Sequence, residues 1–74
     1  MKTKIFAGAI YELKNKKRTF GKYNLCMPEM TIDKDCFAID CWVLNRAGGR
    51  YTNTPFPIET KYIGKMVAKE LREL

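Results

Sequence analysis

Histidine is missing from this sequence of 74 residues, and its absence restricts the chemistry that the chain can perform. Histidine is the usual general base and a frequent metal ligand. Three cysteines are present, but no two of them form a Cys-x-x-Cys pair, and none stands beside an obvious activating group. Three scattered thiols without histidine make a poor zinc site. We therefore predict a protein that is not an enzyme and that needs no metal or other cofactor.

Long apolar runs are missing as well. The apolar stretch 5–10 is too short to cross a membrane or to form the core of a signal peptide. The odd number of cysteines argues against a closed disulfide framework, so we expect Cys26, Cys36 and Cys41 to be reduced, with Cys41 in the core. These features predict an intracellular protein of the cytoplasm or nucleus with no membrane partner.

The residues that are present suit one small folded domain, residues 1–74. Hydrophobic residues make up 46% of the chain, which is enough for a packed core, and the formal net charge is +6. A positive charge of this size favours polyanionic partners, but it also keeps a small domain soluble. Charge alone leaves both interpretations open.

Residues 60–74 have the clearest helical spacing in the chain, and we predict a helix over 60–73. Apolar residues recur at intervals of three and four and share one helix face, namely Ile63, Val67, Leu71 and Leu74. Basic residues recur in the same way on a neighbouring face, namely Lys61, Lys65, Lys69 and Arg72. The hydroxyl of Thr60 can cap the first turn. The pattern predicts an amphipathic helix whose basic face either binds an anion or is simply solvated.

Residues 4–15 fit two interpretations. As a strand, alternate residues from Ile5 to Leu13 fall on one face, but Phe6 and Ile10 then point the other way. As a helix, the apolar residues collect on one stripe, and Gly8 costs only about 1 kcal/mol relative to alanine. We favour a helix over 4–15.

Three strands are predicted between these helices, at 20–27, 36–44 and 51–54. The best of them is 36–44, in which Phe37, Ile39, Cys41 and Val43 alternate on a core-facing side. A glycine-containing hairpin loop at 45–50 follows it. The predicted fold class is therefore α+β, with the order α-β-β-β-α and a three-stranded antiparallel sheet that packs both helices on one face.

This order of elements, with four motifs in register, resembles the double-stranded-RNA-binding domain. The family's Leu-x-Glu-Leu is similar to residues 10–13 (IYEL), and its Tyr-x-Leu strand start to 23–25 (YNL). Its Phe-x-Val-x-Val-x-Val strand is similar to 37–43 (FAIDCWV), and its second helix to 60–71 (TKYIGKMVAKEL). The chain looks like a divergent member, because Asp33 stands where the loop Gly-Pro-x-His has its histidine, and Tyr62 replaces a lysine.

The resemblance implies binding of double-stranded RNA by shape, without choice of base sequence. In the family, cations at the start of the second helix contact phosphates, and the first helix contacts ribose hydroxyls in a minor groove. Carried over to this chain, the implied RNA-binding residues are Thr60, Lys61, Tyr62, Lys65, Lys69, Glu12 and Asn15.

Three other interpretations stay open. The outer face of the sheet, with Ala38, Trp42 and Leu44 beside Cys36, is apolar enough to dock a protein partner or a second copy of the chain. Alternatively, the loop around 55–57 folds over Trp42 and covers it. The remaining possibility is an unrelated small basic domain, for example an inhibitor protein of the kind that phages carry.

Overall fold

The computed structural model of this protein describes residues 4–14, 24–33, 35–50 and 54–74. Its strands are, in chain order, β1 (Lys4–Ile5), β2 (Ile10–Leu13), β3 (Leu25–Pro28), β4 (Ile32–Asp33), β5 (Ala38–Leu44), β6 (Phe56–Glu59) and β7 (Ile63–Ala68). Two short 3₁₀ turns, Thr60–Tyr62 and Leu71–Glu73, lie on either side of β7. The described residues contain no α-helix. The predicted α-β-β-β-α fold is therefore wrong.

Five of the strands form one antiparallel sheet in the order β6-β5-β3-β2-β7, and β1 pairs with β4 in a separate two-stranded sheet. Strands β6 and β7 are consecutive in the chain, yet they lie at opposite edges of the sheet. Only the three residues Thr60–Tyr62 connect them. Because so short a connection cannot cross a flat sheet of five strands, the sheet must curl enough to bring the end of β6 within reach of the start of β7.

The curled sheet has apolar side chains on both faces. The main core contains Ile5, Ala9, Tyr11, Leu13, Cys26, Ile39, Cys41, Val43, Ile58 and Ile63. The second cluster, on the opposite face, contains Ile10, Leu25, Leu44 and Ala68, with Met27, Trp42 and Leu71 packed against it. Strands β2, β3 and β5 therefore contribute residues to both clusters.

The helix predicted over residues 4–15 is absent. Strand β1, a turn and strand β2 occupy this segment up to Leu13, and Gly8 in the turn has a φ of 79°, which no α-helix allows. Strand β2 is buried on both faces, because Ile10 packs in the second cluster while Tyr11 packs in the main core. Apolar residues on both faces of a strand also satisfy a helical spacing, which explains the wrong prediction.

The helix predicted over residues 60–73 is also absent. Strand β7 pairs with β2, and a Cβ atom on Gly64 would lie only 2.7 Å from the carbonyl oxygen of Glu12, so glycine allows this close approach. Ile63 is buried in the main core, whereas Val67 of the predicted apolar stripe is exposed. A single short helix is marginal in water, and pairing with β2 satisfies the backbone instead.

The strand predictions were closer. Strand β5 confirms a strand over most of 36–44, with Ile39, Cys41 and Val43 buried as expected. Strand β3 lies within and just beyond the predicted 20–27, of which 20–23 are outside the described residues. The last strand was misplaced: β6 begins only at Phe56, Thr54 lies in a bend, and residues 51–53 are outside the described part.

Candidate functional site

The first candidate site is a groove of about 380 Å³ between the turn that follows β1 and strand β7. We call it the lysine groove, and its lining residues are Lys4, Ile5, Phe6, Tyr11, Lys14, Gly64, Lys65 and Met66. Three of these are lysines, and the described residues contribute no acidic side chain to the lining. The groove therefore combines an apolar floor with a positively charged rim.

The backbone beside the lysine groove is held by hydrogen bonds. The N–H of Phe6 donates to the Tyr11 hydroxyl at 2.9 Å, and the N–H of Ala7 donates to the Thr31 hydroxyl at 2.9 Å. The N–H of Gly8 donates to the carbonyl of Pro28 at 3.1 Å. The side chain of Phe6 nevertheless stays 48% exposed. The Phe6 ring is therefore exposed even though hydrogen bonds hold the turn that carries it.

The second candidate site is a cleft of about 460 Å³ on the other side of Lys14. We call it the Phe37 cleft, and its lining residues are Lys14, Asp35, Cys36, Phe37, Glu59, Thr60 and Lys61. Lys14 lines both sites, so the groove and the cleft adjoin each other at this residue. In contrast to the groove, the cleft is lined by both acidic and basic side chains.

Phe37 was predicted to face the core, but 81% of it is exposed. Two contacts to Thr60 hold the loop in this arrangement. The Thr60 hydroxyl donates to the carbonyl of Cys36, and the Thr60 N–H donates to the carbonyl of Phe37 at 3.2 Å. Phe37 precedes β5, so the strand alternation that buries Ile39 does not extend to it. Hydrogen bonds thus fix the backbone at Phe37, while the Phe37 ring is exposed to solvent.

Lys61 lies at the mouth of the cleft in the turn between β6 and β7. Its ammonium group is 3.1 Å from the carboxylate of Glu59 and 5.1 Å from the centre of the Tyr62 ring. The hydrogen bond and then the charge of Glu59 raise the pKa of Lys61. Lys61 is therefore charged at neutral pH, but part of its charge is already compensated.

The structure separates the residues that the sequence had grouped as an RNA-binding face. Lys65 lines the lysine groove and Lys61 lines the Phe37 cleft, while Lys69 is exposed and lines neither. Thr60 is buried and joins two segments of backbone. Tyr62 and Glu12 are half-buried, and Asn15 lies outside the described residues.

The sequence did not indicate Lys4, Lys14, Phe6 and Phe37 as site residues. The two phenylalanines were counted as core residues because their apolar side chains fitted the local periodicity. The two lysines that flank the segment 5–13 could have indicated a basic site there. Only the pairing of β2 with β7, however, brings Lys65 beside them.

The residues proposed for protein docking are partly enclosed. Leu44 is fully buried, and Ala38 and Trp42 are half-buried. The Trp42 indole N–H donates to the carboxylate of Glu29, and the guanidinium of Arg50 lies 4.3 Å from the centre of the Trp42 ring. The cover on Trp42 thus includes Arg50. In the 55–57 segment that we had considered for this role, Phe56 and Pro57 belong to β6, and Phe56 packs against the main core.

Cys26 and Cys41 are buried, and Cys36 is exposed. The burial of Cys41 in the main core confirms its predicted position. In the described part of the chain, no three potential metal ligands lie close enough together to hold an ion. The same residues include no helix long and apolar enough to cross a lipid bilayer.

No protein-family model, curated protein or solved structure matches this chain. The resemblance to the double-stranded-RNA-binding domain therefore remains one of short motifs, and the fold that it implied is wrong.

Proposed function

We propose that this chain binds nucleic acid through the lysine groove, mainly by contacts between lysines and phosphates. The observation that carries the proposal is the convergence of Lys4, Lys14 and Lys65 on one groove to which the described residues add no carboxylate. A groove with one sign of charge attracts a ligand of the opposite sign and concentrates it locally. The net charge of +6 acts in the same direction.

The apolar floor favours a nucleic acid over a small inorganic anion. Tyr11 and Gly64 form part of the floor, and Phe6 forms a partly exposed wall. A phosphodiester chain offers both phosphates for the lysines and flat apolar surfaces for the ring. Lysine acts as a point charge toward phosphate, so this mode gives affinity without choice of base sequence.

Contacts from an amphipathic second helix are not available to this fold, because residues 60–68 form a turn and a strand. Binding of duplex RNA therefore stays a prediction to be tested beside binding of single strands. The alternative of protein docking at Trp42 has less support, because Leu44 is buried and Arg50 covers part of the indole.

A charge-matched pair of double variants tests the proposal. Lys4→Gln/Lys65→Gln removes two groove lysines, whereas Arg46→Gln/Lys69→Gln removes two exposed cations that do not line the groove. Binding of a labelled 12-nucleotide RNA, single-stranded or as a hairpin duplex, is followed by fluorescence anisotropy over a series of salt concentrations. Each lost phosphate contact is expected to reduce the slope of log K against log salt by about 0.7 for a single strand and about 0.9 for a duplex.

The groove variant is expected to lose most of its affinity for RNA, and its salt slope is expected to fall by the equivalent of about two phosphate contacts. The control variant is expected to keep most of its affinity and its slope. Equal losses in both variants would show that the binding is generic to a basic protein, and the proposal would fail. It would also fail if the unmodified protein bound neither RNA at low salt.

A further inference from the structure

We infer that the nucleic acid is a single strand, and that its bases stack on Phe6 and Phe37 on either side of Lys14. This inference rests on the proposed function and adds the Phe37 cleft to the binding surface. It starts from two exposed phenylalanine rings that lie in separate cavities but share a neighbouring lysine.

Both rings are exposed on backbone that is held in place. Phe37 is 81% exposed, while Thr60 fixes its loop through contacts to the carbonyls of Cys36 and Phe37. Phe6 is 48% exposed on a turn that the Tyr11 hydroxyl helps to fasten. An apolar ring in a loose loop could fold onto the surface together with its backbone, whereas these rings can move only by rotation of their own side chains. They are pre-organised platforms for a flat ligand.

Lys14 is the cation that would bind a phosphate between the two stacked bases. Its side chain lines both the lysine groove and the Phe37 cleft. Its position is set by the backbone, since its N–H donates to the carbonyl of Tyr62 at 2.8 Å. Alternating aromatic rings and cations along one surface are the arrangement by which proteins bind single strands.

The mixed charges of the Phe37 cleft favour a base over a phosphate at that position. Asp35 and Glu59 line the cleft together with Lys14 and Lys61. Carboxylates repel phosphate, but they accept hydrogen bonds from the amino groups of bases, and lysines donate to base carbonyls. The groove, lined by lysines alone among the charged residues described, favours the phosphates.

A duplex cannot use these platforms, because its bases are stacked on one another and their flat faces are covered. A single strand can turn its bases outward onto the rings. The geometry thus selects single-stranded RNA or DNA over the corresponding duplex. A polypeptide with an apolar side chain is the competing occupant of the cleft.

The test compares Phe37→Ala, Phe37→Leu and Phe37→Tyr by titration with a 12-nucleotide single strand, the same sequence in a hairpin duplex, and an abasic strand of equal length. Base–aromatic stacking predicts a loss of about 5- to 150-fold for Phe37→Ala with the intact strand. Phe37→Leu is expected to lose nearly as much, and Phe37→Tyr to retain the affinity. The abasic strand should bind weakly and equally to all the variants.

Because Phe37 is so exposed, its variants are expected to melt at the temperature of the unmodified protein. If the abasic strand or the duplex binds as well as the intact strand, or if Phe37→Leu is neutral, stacking is refuted. Should the groove variant Lys4→Gln/Lys65→Gln still lose affinity in that case, phosphate binding stands without the stacking. If no nucleic acid binds the unmodified protein, both proposals fail, and the cleft is then to be probed with peptides.

Discussion

The hydroxyl of Thr60 provides a direct test of how the turn between β6 and β7 is tied to the segment that precedes β5. Thr60 is 3% exposed, and its hydroxyl donates to the carbonyl of Cys36 at the point where β6 turns toward β7. Thr60→Val keeps the shape and the backbone hydrogen bond to Phe37, but it removes the side-chain donor. The carbonyl of Cys36 then loses a partner at a position that is only partly buried.

Losing one partner of a buried hydrogen bond costs about 1–3 kcal/mol of unfolding free energy. Cys36 is exposed, so water can reach its carbonyl in part, and the lower end of this range, about 1 kcal/mol, is expected. For a domain of this size, such a loss lowers Tm by about 4–8 °C. Backbone amide shifts are expected to move at residues 36–38, across the loop from the substitution.

Thermal and urea melts measure the effect, with Thr31→Val as the matched control. The Thr31 hydroxyl also makes a backbone hydrogen bond, to the N–H of Ala7, but it is exposed to water. The control is expected to change the free energy of unfolding by less than about 0.5 kcal/mol. If both variants melt alike, or if the amide shifts stay local to residue 60, then the Thr60 hydroxyl does not hold the segment before β5 as described.

Three further substitutions test the fold. Gly64→Ala would place a Cβ 2.7 Å from the backbone of Glu12, so a loss of about 1–3 kcal/mol is expected in urea melts, and an unchanged stability would contradict the close pairing of β7 with β2. A hydrogen bond with Cys41 and then burial raise the pKa of Cys26. The unfolded thiol ionises near its usual value of 9.0 while the folded thiol keeps its proton, so stability falls as pH rises above that value, by up to about 1.4 kcal/mol per pH unit. Melts at pH 8–10 should show a steeper fall for the unmodified protein than for Cys26→Ala, and equal slopes would refute the assignment. Trp42→Glu should lower the stability by about 2 kcal/mol without a change in sedimentation, because the indole packs on the second cluster, whereas a lost dimer with an unchanged Tm would favour the docking interpretation.

Strand β5 could be predicted from its own residues. Ile39, Cys41 and Val43 recur at every second position with the exposed Asp40 between the first two, and this period of two fits a strand and not a helix. The turn after β5 could also be predicted from its own residues, because Gly48 adopts the positive φ, 88°, that was expected of a glycine in this loop. Features that a few neighbouring residues decide were thus accessible from the sequence.

The two segments predicted as helices depended on partners that lie far away in the chain. Strand β2 is buried on both faces, so its apolar spacing is compatible with a helix as well as a strand. What decides between them is pairing, and the partner of Leu13 in β7 is Ile63, near the other end of the chain. Local propensity is too weak to outweigh such long-range hydrogen bonding.

For the candidate site, too, some features follow from the sequence and others only from the tertiary structure. The sequence by itself determined the excess of positive charge, the lack of histidine and the presence of Lys65 as a cation, because these are properties of composition. Only the tertiary structure decided that Lys65 meets Lys4 and Lys14 on one groove, since the pairing of β2 with β7 brings them together. It also decided that Phe37 faces solvent, because the buried Thr60 holds the backbone of its loop.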